Sequence, residues 1–159
     1  MALERIVSGG QSGVDRGALD AALALGFACG GWCPAGRLAE DGPIPERYPV
    51  VELAGGDYRA RTRRNVQDSD GTLIIAFGAP KGGTLETLRD CRRFGKPHLV
   101  VDAAALSASD AAGRALVFAQ VNAIRVLNVA GPRESGWNGA RDYAEAAVRG
   151  LLERYARSM

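Results

Sequence analysis

The chain of 159 residues has one histidine, His98, and three cysteines, Cys29, Cys33 and Cys91, with no CxxC pair among them. A single histidine disfavours zinc enzymes, which draw on histidine ligands, and chemistry that needs a histidine base. No metal ligands are therefore expected. An odd, unpaired set of thiols fits a reducing cytoplasm, not a disulfide framework. No apolar run reaches the ~18 residues of a membrane span. The opening Met-Ala-Leu-Glu-Arg enters a strand at once, so no signal peptide is expected. The net charge is only +2 and aromatic residues are 6% of the chain, none interleaved with its most basic segment. A nucleic-acid partner is therefore poorly supported. Three nucleotide and hydrolase motifs are also missing. Gly9, Gly10, Gly13 and Gly17 lack GxGxxG spacing, and Cys33-Pro34 stands where a ribose-binding acid would end the second strand. There is no GK[ST] of a P-loop, and Gly10-Gln11-Ser12-Gly13-Val14 lacks the last glycine of a nucleophile elbow.

What is present is an apolar fraction of 47%, enough for a real core, in a length that suits one domain over residues 1–159. Six strand segments are expected at 4–8, 27–33, 50–53, 72–77, 98–102 and 124–130. Between and after them, helical periodicity covers 13–25, 58–68, 84–94, 109–123 and 138–157. Residues 34–49 carry four prolines and no clear period, as in a lid or binding loop. Regular alternation of this kind means an α/β sandwich of three layers around a mostly parallel sheet of about six strands.

Three glycine-rich turns each follow a strand and run into a helix or toward one. They are Ser8-Gly9-Gly10-Gln11-Ser12-Gly13, then Gly78-Ala79-Pro80-Lys81-Gly82-Gly83-Thr84, then Ala130-Gly131-Pro132-Arg133-Glu134-Ser135-Gly136. In a parallel sheet all three share one edge, where backbone N–H groups and positive helix ends collect and suit phosphate or another anion. In the first turn Ser12 reads as an anion-contacting N-cap and Asp15 as its capping-box partner. In the second, Gly82 and Gly83 let backbone approach a ligand, Thr84 caps the helix and Lys81 adds charge. In the third, Arg133 can grip a phosphate with two N–H groups. Glu134 is a base, a ring acceptor or the partner of Arg133. Arg59, Arg61, Arg63 and Arg64 read mostly as a solvated helix face. Thr62 and Asn65, three apart, share a face toward the cleft. Trp32 and Trp137 are packing residues or platforms for a flat ring. Cys29 and Cys33 share one strand face as small buried residues.

Taken together, Gly9-Gly10-Gln11-Ser12-Gly13-Val14-Asp15-Arg16, Arg61-Thr62-Arg63-Arg64-Asn65-Val66, Ser69-Asp70-Gly71-Thr72-Leu73-Ile74, Gly82-Gly83-Thr84 and Asn128-Val129-Ala130-Gly131-Pro132-Arg133-Glu134-Ser135 resemble the molybdenum carrier proteins. These form the circularly permuted YpsA-like branch of the SLOG superfamily. The resemblance spans nearly the whole chain. It implies a Rossmann-like fold, a homo-oligomer (dimer or tetramer) in the cytoplasm, and a ligand cleft lined by these turns. The implied ligand is molybdenum cofactor, a phosphorylated pterin, or a nucleotide-like molecule. Gly9, Gly10, Gln11, Ser12, Gly13, Thr62, Asn65, Lys81, Gly82, Gly83, Thr84, Pro132, Arg133, Glu134 and Ser135 are the expected contacts. The wider superfamily includes nucleotide phosphoribohydrolases with a GGxGTxxE signature and DprA-like nucleic-acid proteins. Here Glu86 follows Thr84 by two residues where that signature needs three. A carrier therefore leads over a hydrolase, for which Glu134, Asp15 and Glu86 are the candidate carboxylates, and a nucleic-acid role comes last.

Overall fold

A computed structural model describes residues 3–159. The central sheet joins β1 (Arg5–Val7), β2 (Cys29–Gly30), β7 (Gly71–Ala76), β8 (His98–Asp102) and β9 (Val126–Ala130). Its order is β2-β1-β9-β7-β8, and every neighbouring pair is parallel. All six residues of β7 are buried, as a strand covered on both faces must be. Its side chains divide by the two-residue period of a strand. Leu73 and Ile75 enter the core built with α1 (Val14–Ala24), α4 (Ala108–Val121) and α5 (Ala140–Ser158). Ile74 enters the opposite core, with Val66, Leu88 and Cys91 from α2 (Tyr58–Gln67) and α3 (Gly82–Arg93). The result is the expected three-layer Rossmann-like sandwich. Small residues such as Ala18, Ala21, Ala22, Ala144 and Ala147 let α1 and α5 pack closely.

The sheet has five strands, not six, for a local reason. The expected strand 27–33 breaks at Gly31, whose φ is +126° and whose Cβ, were it present, would lie 2.1 Å from the Ser8 carbonyl oxygen. Only glycine tolerates that backbone and that approach. Beyond it, β3 (Trp32–Cys33) leaves β1 and pairs in parallel with β6 (Val51–Glu52) as a separate ribbon. Cys29 and Cys33 thus fall in different sheets, and Cys33 packs with Leu19, Ala39, Ile44, Tyr48 and Val50. Residues 34–49 are held, not free. They contain an antiparallel hairpin, β4 (Leu38–Ala39) and β5 (Gly42–Pro43), with Glu40 and Asp41 at its tip. Arg37 donates to the carbonyls of Ile44, Val50, Pro45 and Tyr48 at 2.9–3.1 Å. Asp41 pairs with buried Arg16, Nη2 to Oδ1 2.7 Å. No helix among the described residues is long and apolar enough to cross a membrane.

Candidate functional site

Because β1, β9 and β7 are adjacent and parallel, the turns that leave them lie together at the C-terminal edge of the sheet, where ligands of open α/β sheets bind. They surround an open cavity of about 610 Å³, within the usual size of a small-molecule site. Gly9, Gln11 and Asp15 line it from the first turn. Lys81, Gly82, Gly83, Thr84 and Glu86 line it from the second, and Pro132 and Arg133 from the third. Thr62 and Asn65 line it from α2. Gly10, Ser12, Gly13, Glu134 and Ser135 do not, and no residue of 34–49 does.

The residues that fall outside are occupied elsewhere. Ser12 is not the N-cap of α1; Gly13 is, at φ 79°, and no side chain caps that helix. The Ser12 hydroxyl instead donates to the Glu40 carboxylate and accepts from the Glu134 N–H at 3.2 Å. Glu40 also accepts from the Ser135 N–H at 3.2 Å and from the Ser135 hydroxyl. A carboxylate from the hairpin therefore fills the anion position between the first and third turns. Burial pushes its carboxyl up, but the hydrogen bonds from Ser12 and Ser135 outweigh this and hold it below the ordinary glutamate value. Glu134 pairs with neither Arg133 nor the cavity. Its two oxygens accept from the N–H groups of Gly139 (2.7 Å) and Arg141 (2.9 Å), closing the N-terminus of α5.

The three helix N-termini at this edge thus differ. At α1 the Val14 N–H donates to the Pro132 carbonyl at 3.1 Å, and at α5 Glu134 takes two donors. At α3 the N-cap is Lys81, not Thr84, and no side chain caps the helix. Thr84 lies inside the first turn, buried. The α3 N-terminus opens on the cavity with Gly82 and Gly83, where a Cβ at either position would meet nothing within 4 Å. Two exposed cations, Lys81 and Arg133, line the same cavity. Neither has a carboxylate within ion-pair distance among the described residues.

Deeper in the site, Arg61 departs from the solvated face expected of the basic run. It is 7% exposed, donates Nη1 to the Gly9 carbonyl at 2.7 Å and lies 3.5 Å from Asp15. Burial raises the Asp15 carboxyl above its ordinary value against the pull of Arg61. Glu86 is tied to Arg59 at 3.0 Å and Arg89 at 3.1 Å. Asn65 spends its amide on strand β3, accepting from the Trp32 N–H (2.8 Å) and donating to the Trp32 carbonyl (2.9 Å). Arg61 and Tyr58 were legible in principle, since 58, 61, 62 and 65 follow the i, i+3, i+4, i+7 face of one helix. Arg61 and Arg133 lie 5.6 and 5.7 Å from the Tyr58 ring centroid. Trp137 stacks on Phe77 with centroids 4.8 Å apart, and both line the cavity. Trp32 is outside it, its indole N–H donating to Asp68 and its ring under Arg64. Nothing in the sequence marked Glu40.

A parallel sheet, an open cavity at its C-terminal edge and glycine turns on three adjacent strands define a Rossmann-like protein with its cavity where open α/β sheets take ligands. The sequence profile of the circularly permutated YpsA SLOG family matches residues 6–152, and the chain belongs to that family. It is similar to a solved structure from Syntrophus aciditrophicus SB titled "Putative molybdenum carrier protein". The two are 42% identical, with a TM-score of 0.92 over 95% of this chain and 96% of that one. No curated protein sequence matches it.

Proposed function

We propose that the protein is a carrier or storage protein for a phosphorylated pterin or nucleotide-like molecule, with molybdenum cofactor as its leading cargo. The observation that carries this is the α3 N-terminus, the one of the three at this edge whose first N–H groups meet neither a side chain nor another loop among the described residues, opening on the cavity beside two cations without an ion-pair partner. Phosphate placed there receives N–H groups, the positive helix end and charge-assisted bonds from Lys81 and Arg133. The ring then lies among Tyr58, Phe77 and Trp137, aromatic lining suited to a flat heterocycle. Phosphate in the first turn is disfavoured, because Glu40 takes the Ser12 hydroxyl while Asp15 and the Gln11 side chain take the Gln11 and Ser12 N–H groups.

The donor set bears on the metal. No group of three or more His, Cys, Asp or Glu among the described residues is arranged to hold an ion. The lining fits a phosphate and a ring, so a carried molybdenum stays on its own organic ligand. Location in the cytoplasm and a homo-oligomer belong to the same proposal. Val117 and Val121 on α4, both exposed, offer an apolar surface for self-association.

Mass spectrometry and metal analysis of co-purified ligand test the proposal directly. A phosphorylated pterin or nucleotide is the expected finding. Arg133→Ala weakens its binding by about 1.5–3 kcal/mol, the range for a hydrogen bond to a charged group. Binding indifferent to Arg133 would sink the phosphate placement. A second reading, N-glycosidic hydrolysis of a nucleotide, rests on Asp15, a cavity carboxyl with a raised pKa. Free base released by wild type and lost in Asp15→Asn would favour it.

A further inference from the structure

Arg133 reaches the cavity from an exposed position in the third turn, and no carboxylate among the described residues pairs with it. What its guanidinium does meet is the ring of Tyr58, with Cζ 5.7 Å from the ring centroid. That is inside the roughly 6 Å reach of cation–π attraction. Tyr58 is the first residue of α2 and also lines the cavity, so the contact joins two of its walls. The ring is itself held. Asp57 caps α2, accepting from the Ala60 N–H at 2.8 Å. Arg61, one turn along α2, lies 5.6 Å from the same centroid and donates to the Gly9 carbonyl at 2.7 Å. A chain of contacts therefore runs from the first turn through Arg61 and Tyr58 to Arg133. Lys81, the other cation of the cavity without an ion-pair partner, has no aromatic ring within that reach among the described residues.

Resting on the phosphate reading of the α3 N-terminus, we propose that Tyr58 is the positioning residue for Arg133, gathering its guanidinium at the cavity for an anion held at Gly82 and Gly83. A guanidinium over a ring face keeps its in-plane N–H edges free, and those edges make the two-pronged bond to phosphate. An arginine already gathered against a ring loses less rotamer freedom when the anion arrives. Tyr58 therefore strengthens phosphate binding without touching the phosphate. The role belongs to the π face and not to the hydroxyl. Phenylalanine substitutes for it, and leucine, which is apolar but has no ring quadrupole, does not. Lys81 has no such platform and pays the full ordering cost of its long stem, so Arg133 is the stronger of the two cations toward phosphate.

NMR titration of the full chain with inorganic phosphate, followed at the Gly82 and Gly83 amides, tests this with a probe that has no ring to stack on Tyr58. Tyr58→Leu is expected to weaken phosphate binding about two- to fivefold, the change that a cation–π contact near the surface corresponds to. Tyr58→Phe is expected to keep the wild-type affinity. In an Arg133→Ala background Tyr58→Leu is expected to cost nothing further, because the side chain it positions is gone. Thermal unfolding of each variant separates a lost platform from a lost fold. Undiminished phosphate affinity in Tyr58→Leu, an equal loss in Tyr58→Phe, or the same loss with and without Arg133 would overturn the inference. If Arg133→Ala alone still weakened binding in those cases, the phosphate reading would stand. Gly82 and Gly83 amides that ignore phosphate in the wild type would bring down that reading and the inference with it.

Discussion

Replacing Glu134 by glutamine separates a cap from a catalyst. In the structure its oxygens take the N–H groups of Gly139 and Arg141 at 2.7 and 2.9 Å, two of the donors an α-helix start leaves open. Glutamine keeps one oxygen, so one bond survives in neutral form and the NH2 group faces the other N–H. The negative charge at the helix N-terminus is also lost, worth about 0.3–1 kcal/mol. Glu134 is half-buried, so water reaches the freed donor, and the total belongs near the range of a lost N-cap, about 0.5–2 kcal/mol. For a chain of 159 residues that corresponds to a fall in Tm of about 1–8 °C. Circular dichroism melts report it, and calorimetry with a purine monophosphate reports binding. The expected pattern is lower stability with nearly unchanged affinity, because Glu134 does not line the cavity. An unchanged Tm together with loss of product formation by an active wild type would refute the capping role and restore Glu134 as a base.

Gly83→Val fills open cavity space from an ordinary backbone position, so it abolishes binding in the same titration while the melt stays close to wild type. Retained affinity would place the ligand elsewhere. Arg37→Ala removes donors from four carbonyls and so loosens the stretch from Ile44 to Val50 that ends the 34–49 segment. Limited proteolysis then cuts within that segment of the variant and spares wild type, and equal resistance would mean that other contacts hold it. Glu40 titrates below its ordinary value when folded, so its contribution is present above the ordinary pKa of about 4.3 and is lost as pH falls through the lowered folded value. The stability gap between wild type and Glu40→Gln is therefore constant near neutrality and closes in acid below about pH 4. A gap that widens on acidification contradicts the assignment.

Much of the fold was legible because its signals are local. The apolar run of β7 and the helical spacing of α5 read directly as a buried strand and a packed helix. The break at Gly31 was not, because the atom that forces it is the Ser8 carbonyl, brought near only once β1 and β2 pair. Periodicity cannot register that contact, so one strand was expected where two sheets each take half. The hairpin inside 34–49 escaped for a similar reason. Its strands are two residues each and draw their stability from Arg37 and from the core around Tyr48.

The site divides along the same line. Turn chemistry located all three loops at one edge, since that needs only parallel strands after each apolar run. It could not rank them, because anion affinity depends on whether a helix N-terminus still has donors to give. That inventory is tertiary. Val14 gives its N–H to Pro132, 118 positions away in sequence but adjacent across the β1–β9 pair. Glu40 reaches Ser12 across 28 residues and Ser135 across 95. Three turns of similar sequence therefore become two that hold the protein together and one that stays open.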